Sequence, residues 1–162
     1  MKRLALALTV FLSLFVFTGC SLFTPDEKEF SGSGITITLN ESFTETETVQ
    51  WPFYLSSLKH IFMGLRESKS TINSYGIYTL NDYIDAVLEN GGHPSATVYE
   101  SENGEYMYAY YSATVEKVKY GYMLICMKGA QHYYVMNFGC LYDELADNKD
   151  QYIEWANTII VT

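Results

Sequence analysis

Apolar and polar positions change their spacing several times along this chain, and each change predicts an element. Residues 4–17 are almost unbroken in their hydrophobicity, behind Lys2 and Arg3. At Ile35, Ile37 and Leu39 the period becomes two, with Thr36 and Thr38 between, as in a half-buried strand. The stretches "VQWPFYLSS" and "KHIFMGLRE" read as a strand pair, and Pro52 confines the first to an edge or a bulge because proline cannot donate to a ladder. In "YTLNDYIDAVLENGGHP" the apolar positions Leu80, Tyr83, Ile84, Val87 and Leu88 fall on one helical stripe. Thr79 with Asp82 makes an N-terminal capping box, Gly91 supplies a left-handed C-terminal cap, and Pro94 prevents continuation.

Four more strands follow, at about Ala96–Glu100, Tyr106–Val115, Tyr120–Met127 and His132–Leu141, with "SENGE", "EKVK" and "KGAQ" as turns. The middle strands are apolar on both faces, which calls for cover on both sides of the sheet. A second helix in "DNKDQYIEWANTIIV" carries Tyr152, Trp155, Ala156 and Ile159 at helical spacing, and "TIIVT" reads as a short last strand. With no βαβ units, the order predicts an α+β domain: a mostly antiparallel sheet covered by helices on both faces.

The apolar run at the start is too short for a bilayer, which takes about 20 residues as helix. No basic flank follows it, and small residues precede Cys20, as in a secretory signal peptide. "FTGC" resembles the lipobox of bacterial lipoproteins, with Phe17 where that pattern usually has an aliphatic residue. The resemblance implies that Cys20 is diacylated and becomes the first mature residue, with palmitate-type chains as the membrane contact. The chain then divides into a signal peptide (1–19), a lipidated cysteine and tether (20–30), and one globular domain (31–162). This places the protein at the cell membrane, on the extracytoplasmic side.

Ten basic residues stand against nineteen acidic ones, and loss of Lys2 and Arg3 takes the net charge from −9 to −11. Arg66 is then the sole arginine. This argues against nucleic acid, which rewards clustered Lys and Arg, and against docking on anionic headgroups, while favouring a cationic partner. In a hairpin about "KGAQ", Cys126 faces Tyr133 and Cys140 lies about 23 Å further along at about 3.3 Å per residue. That exceeds disulfide reach, so both read as buried free thiols.

Catalytic chemistry finds little to stand on. His60, His93 and His132 show no local metal-ligand spacing, and the cysteines sit in apolar runs rather than beside a base. "GSG" precedes a strand, so it is no phosphate loop. The chain therefore reads as non-enzymatic, without cofactor or metal. Two features suggest binding. Tyr106, Tyr108 and Tyr110 share one face of a strand, a core face or an aromatic platform for a peptide or glycan. Arg66 pairs with Glu67 or another nearby acid, or holds an anionic group.

The stretches "FSGSGITITLNESF", "IFMGLRES", "YTLNDYIDAVLENGG" and "YIEWANTIIV" together resemble the PsbP-like fold, an α/β/α sandwich found in many small bacterial lipoproteins. In photosynthetic members the fold serves as an extrinsic accessory subunit, and a nuclear-import relative uses it to bind a small GTPase. The resemblance implies an accessory or binding role toward a protein or peptide, with no catalytic residues to carry over. The alternative is a small-molecule or glycan receptor on the tyrosine-rich sheet face.

Overall fold

The computed structural model describes residues 26–40 and 42–162. The leader and Cys20 lie outside the described residues. In chain order the elements are β1 (Glu27–Gly32), β2 (Ile35–Asn40), β3 (Thr44–Glu45), β4 (Phe53–Ser56), β5 (Ile61–Ser68), α1 (Lys69–Ser74), α2 (Leu80–Asn90), β6 (Val98–Glu100), β7 (Tyr106–Val115), β8 (Val118–Lys128), β9 (His132–Leu141), α3 (Leu145–Ala156) and β10 (Ile160–Val161). Seven strands pair in the order β3-β4-β5-β9-β8-β7-β6, antiparallel throughout, and β1-β2-β10 form a separate small sheet.

The predicted α+β class holds, with one change in how the sheet is covered. One face of the large sheet lies under α1 and α2. The other is closed jointly by α3 and the small sheet, with Ile35, Ile37 and Leu39 joining Phe62, Phe138, Tyr152 and Trp155 in one apolar cluster. Two glycines permit close approach on that side: a Cβ on Gly64 would meet Ile35 Cδ1 at 2.6 Å, and one on Gly121 would meet Leu145 at 2.7 Å.

Three local expectations need correction. The tether drawn to residue 30 ends earlier, because Glu27 already pairs with Asn40. Only Phe30 of that strand's first five residues is buried, so it carries no alternation to read. Helix α2 has the expected reciprocal Thr79–Asp82 capping box, but its left-handed residue is Gly92 (φ 79°) while Gly91 stays helical (φ −76°). Cys126 lies opposite Val135, with Lys128 the residue facing Tyr133. Cys126 and Cys140 are buried, unpaired, and on opposite faces of the sheet.

The turns follow their backbone demands. Ser33-Gly34 and Glu116-Lys117 each close a two-residue hairpin with both φ positive, the twist-matched form for antiparallel strands. Glycine meets that demand at position 34, whereas Glu116 and Lys117 adopt it with side chains.

Candidate functional site

Cross-strand register sorts the α2 side of the large sheet into rows. One row runs Tyr54, Met63, Asn137, Leu124, Ala109, Val98; the next holds Ile61, Gly139, Tyr122 and Tyr111; the last holds Leu141, Tyr120 and Ala113. Helices α1 and α2 place Ile72, Tyr83, Ile84 and Leu88 over the part of the face that carries Cys126, Tyr133 and Val135 and reaches Leu124. Beyond that the face is surfaced by tyrosines. Tyr122 lies against Gly139, where a Cβ would sit 2.8 Å from its ring. Its ring stacks on Tyr111 at 5.0 Å, with Tyr120 at 6.4 Å. Tyr54, Tyr111 and Tyr120 are half-buried, and Leu141 beside Tyr120 is 48% exposed.

A cavity opens at each end of this floor. The upper one, about 210 Å³, lies at the C-terminal end of α2 between Trp51, Val87, Leu88, His93 and Tyr111, with Asn137 lining it. Asn137 is only 3% exposed. Its Oδ1 accepts from the Tyr111 hydroxyl at 3.0 Å, and no described residue accepts a hydrogen bond from its Nδ2. Burial raises the Tyr111 pKa, followed by the field of Tyr122, so this hydroxyl stays a donor. The lower cavity, about 280 Å³, is lined by Leu58, His60, Ile61, Tyr120, Cys140, Leu141 and Glu144. Along β9 Asn137 lines the upper cavity and Gly139 to Leu141 the lower, about 7–13 Å further on at about 3.3 Å per residue. A third space, about 400 Å³, lies between α1 and α2 beside Glu67, Tyr75 and Tyr83.

The lower cavity brings a histidine and a carboxylate together. Burial holds His60 below its ordinary value of 6.5, with Glu144 opposing and Lys59 adding to the depression. Its Nδ1 sits 3.1 Å from the Tyr152 hydroxyl, and burial raises that phenol's pKa far above its usual range. The neutral imidazole therefore shares a hydrogen bond with a phenol that keeps its proton. Cys140 is 2% exposed and its pKa is raised, chiefly by burial. A protonated thiol is a poor nucleophile.

The other sequence-selected residues scatter. Tyr106, Tyr108 and Tyr110 do share a face, but it is the side covered by α3 and the small sheet. Tyr106 is 1% exposed and donates to Asn157 at 2.9 Å, and burial pushes its pKa up to about 12. Tyr108 and Tyr110 pack against that core, with Lys149 over the Tyr110 ring at 4.5 Å. The three cavities are lined by other residues. Arg66 and Glu67 cannot pair, because adjacent strand residues point to opposite faces. Glu67 accepts from Tyr83 on α2 at 2.6 Å, while Arg66 is exposed near Gly34 and Thr162. His93 packs on Tyr111 at 4.3 Å, and His132 lies at the far end of β9. Among the described residues no three His, Cys, Asp or Glu side chains converge on a metal-sized point.

A wide antiparallel sheet, with two helices on one face and a helix plus a small sheet on the other, makes this an α+β sandwich of the PsbP and Mog1 type. Among solved structures, the Ran-binding protein Mog1p of Saccharomyces cerevisiae superposes with a TM-score of 0.53 at 10% identity, over 85% of this chain and 96% of that one. The cyanobacterial PsbP of Synechocystis sp. PCC 6803 gives 0.50 at 8%, over 88% and 96%. A crystal structure from Bacteroides thetaiotaomicron gives 0.56 at 14%, over 83% of this chain but 48% of its own, so the chain spans about half of that protein. No protein-family model matches the sequence, and no curated protein matches it significantly. These likenesses establish the fold.

Proposed function

We propose that this protein is a lipid-anchored, extracytoplasmic binding module that holds a protein or peptide partner on the open half of its large sheet. One observation carries the reading: Tyr54, Tyr111 and Tyr120 lie half-buried around a buried Tyr122 on the part of the face beyond α2, with a cavity at either end. Tyrosine gives contact area at low conformational cost and a polar tip that tolerates water, which is why it is enriched where proteins meet. The net charge of the whole chain, −9, favours a basic partner. That one protein of the same fold is a Ran-binding protein supports recognition as a use of this sandwich. The lipobox-like "FTGC" supports the anchor, with Cys20 the acylated residue.

The test replaces Tyr120 with a photo-reactive phenylalanine on intact cells, with Lys28 on the small sheet as control. A recurrent adduct from position 120 and not from 28, with a diacylated Cys20 by intact mass, is the expected result. An absence of position-specific adducts over several growth conditions, or an unmodified Cys20, overturns the corresponding half of the proposal.

A further inference from the structure

Resting on that reading of the open face, we infer that the upper cavity is the anchor point for a tyrosine side chain of the partner. About 210 Å³ falls below the roughly 300–1,000 Å³ of pockets that enclose drug-sized ligands, so the space suits one large side chain. Its walls are apolar and aromatic: Trp51, Leu88, Leu124, Val135, and the ring pair His93 and Tyr111. Such walls offer few partners to the several hydroxyls of a glycan. They suit a ring, which can stack on or lean against Tyr111 and Trp51.

Asn137 supplies the discrimination. A buried amide normally satisfies its hydrogen-bonding atoms. Here Tyr111 occupies one lone pair of Oδ1, and no described residue accepts a hydrogen bond from Nδ2 of this cavity-lining side chain. The amide thus presents a free N–H donor and a spare carbonyl lone pair side by side. A phenol complements both, its oxygen accepting from Nδ2 and its hydrogen directed to Oδ1. A phenylalanine ring would leave both unmatched, and a lysine would bring a charge into an apolar space.

The probes are N-acetyl-tyrosinamide and N-acetyl-phenylalaninamide, titrated into the full-length protein in detergent while methyl resonances are followed by NMR. The expected result is saturable shifts at Val87, Leu88, Leu124 and Val135 with Leu39 unmoved, and roughly tenfold tighter binding of the tyrosine probe, the discrimination one buried hydrogen bond gives. Asn137→Leu should abolish the tenfold preference. Because that change also strips Tyr111 of its acceptor, Val87→Phe serves as the second variant: it fills the cavity from α2 and should abolish shifts from both probes. Equal affinities in the native protein, or no saturable shift at millimolar probe, overturn the anchor. If position-120 adducts persist in that case, the open face survives without it; loss of both removes the binding surface as well.

Discussion

The two faces of the large sheet are built from the same strands yet closed to different degrees, and the cause is length. Strands β7, β8 and β9 run 10–11 residues, about 33–36 Å at about 3.3 Å per residue. Helices α2 and α3 have 11 and 12 residues, about 16–18 Å at 1.5 Å rise. Neither helix can cover its face alone. On the α3 side the small sheet extends the cover and brings Ile35, Ile37 and Leu39 to below about 2% exposure, leaving the β6–β7 edge, with Tyr99 at 45% and Tyr108 and Tyr110 half-buried, outside it. On the α2 side no second layer extends the cover among the described residues, and the surface changes from Leu, Ile and Val to tyrosine where the helix ends. A sheet face left open and made amphipathic is built for contact; a closed one is built for stability.

Truncations on the two faces should therefore separate most widely. Phe138 is fully buried against Phe62, Tyr152 and Trp155, and Phe138→Ala should cost about 3–5 kcal/mol in urea denaturation. Tyr120→Ala on the open face should cost under about 1 kcal/mol while removing the partner adduct. Comparable losses at both positions would mean the open face is core after all.

The glycines sharpen the same contrast at smaller scale. Gly64→Ala drives a methyl into Ile35 within a packed interlayer contact and should cost about 1–3 kcal/mol. Gly139→Ala meets the Tyr122 ring and Ile61 first. Tyr122 is 8% exposed but packs against the half-buried Tyr111 and Tyr120 rather than another layer, so its ring can shift with theirs and the stability loss should stay below that of Gly64→Ala in the same urea titrations. The visible effect should be a shift in the Tyr122 ring resonances. A larger loss at Gly139 would place a rigid cover over the floor.

At the open end the Glu116-Lys117 turn holds two side-chain residues at φ 49° and 73°. A left-handed residue costs an L-amino acid about 1–2 kcal/mol relative to glycine. Lys117→Gly should raise stability by about 1 kcal/mol, less the added entropy of the unfolded glycine, read as an upward shift in Tm. A decrease would show that the Lys117 side chain makes a stabilising contact.

How much of this was legible depended on which physical signal each part carries. Helix α2 declared itself twice, through its stripe and through Thr79 and Asp82, and both appear as expected. The strands from Tyr106 to Leu141 were legible from their apolar runs and the turn residues between them, and Tyr106, Tyr108 and Tyr110 do share a face. Period two gives a strand two faces but does not say which one a neighbouring layer will cover, and of these three rings Tyr106 is buried while Tyr108 and Tyr110 are half-buried. The helix and strand lengths held the missing clue. Strand β1 was unreadable because Glu27, Lys28 and Glu29 are exposed on an edge. Asn137 lay in "YVMNFG" as one polar letter in an apolar run, and only the register that sets it beside Tyr111 gives it a role.

The mildest perturbation acts where the closed face meets the lower cavity. His60 is held neutral by burial, which outweighs the pull of Glu144. As pH falls, the unfolded chain takes a proton on this imidazole at its ordinary 6.5, before the folded chain does. The stability contributed by neutral His60 is therefore complete above pH 6.5 and is lost as the pH drops from there through the lower folded value. In the imidazolium Nδ1 can only donate, so the Tyr152 hydroxyl must then accept from it. His60→Gln keeps a polar group but cannot titrate. Measured from about pH 8 to about pH 5, the Tm advantage of the native chain over this variant should be level down to about 6.5 and shrink below it. An advantage that grows toward acid would mean that Glu144, rather than burial beside Tyr152 and Trp155, governs this histidine.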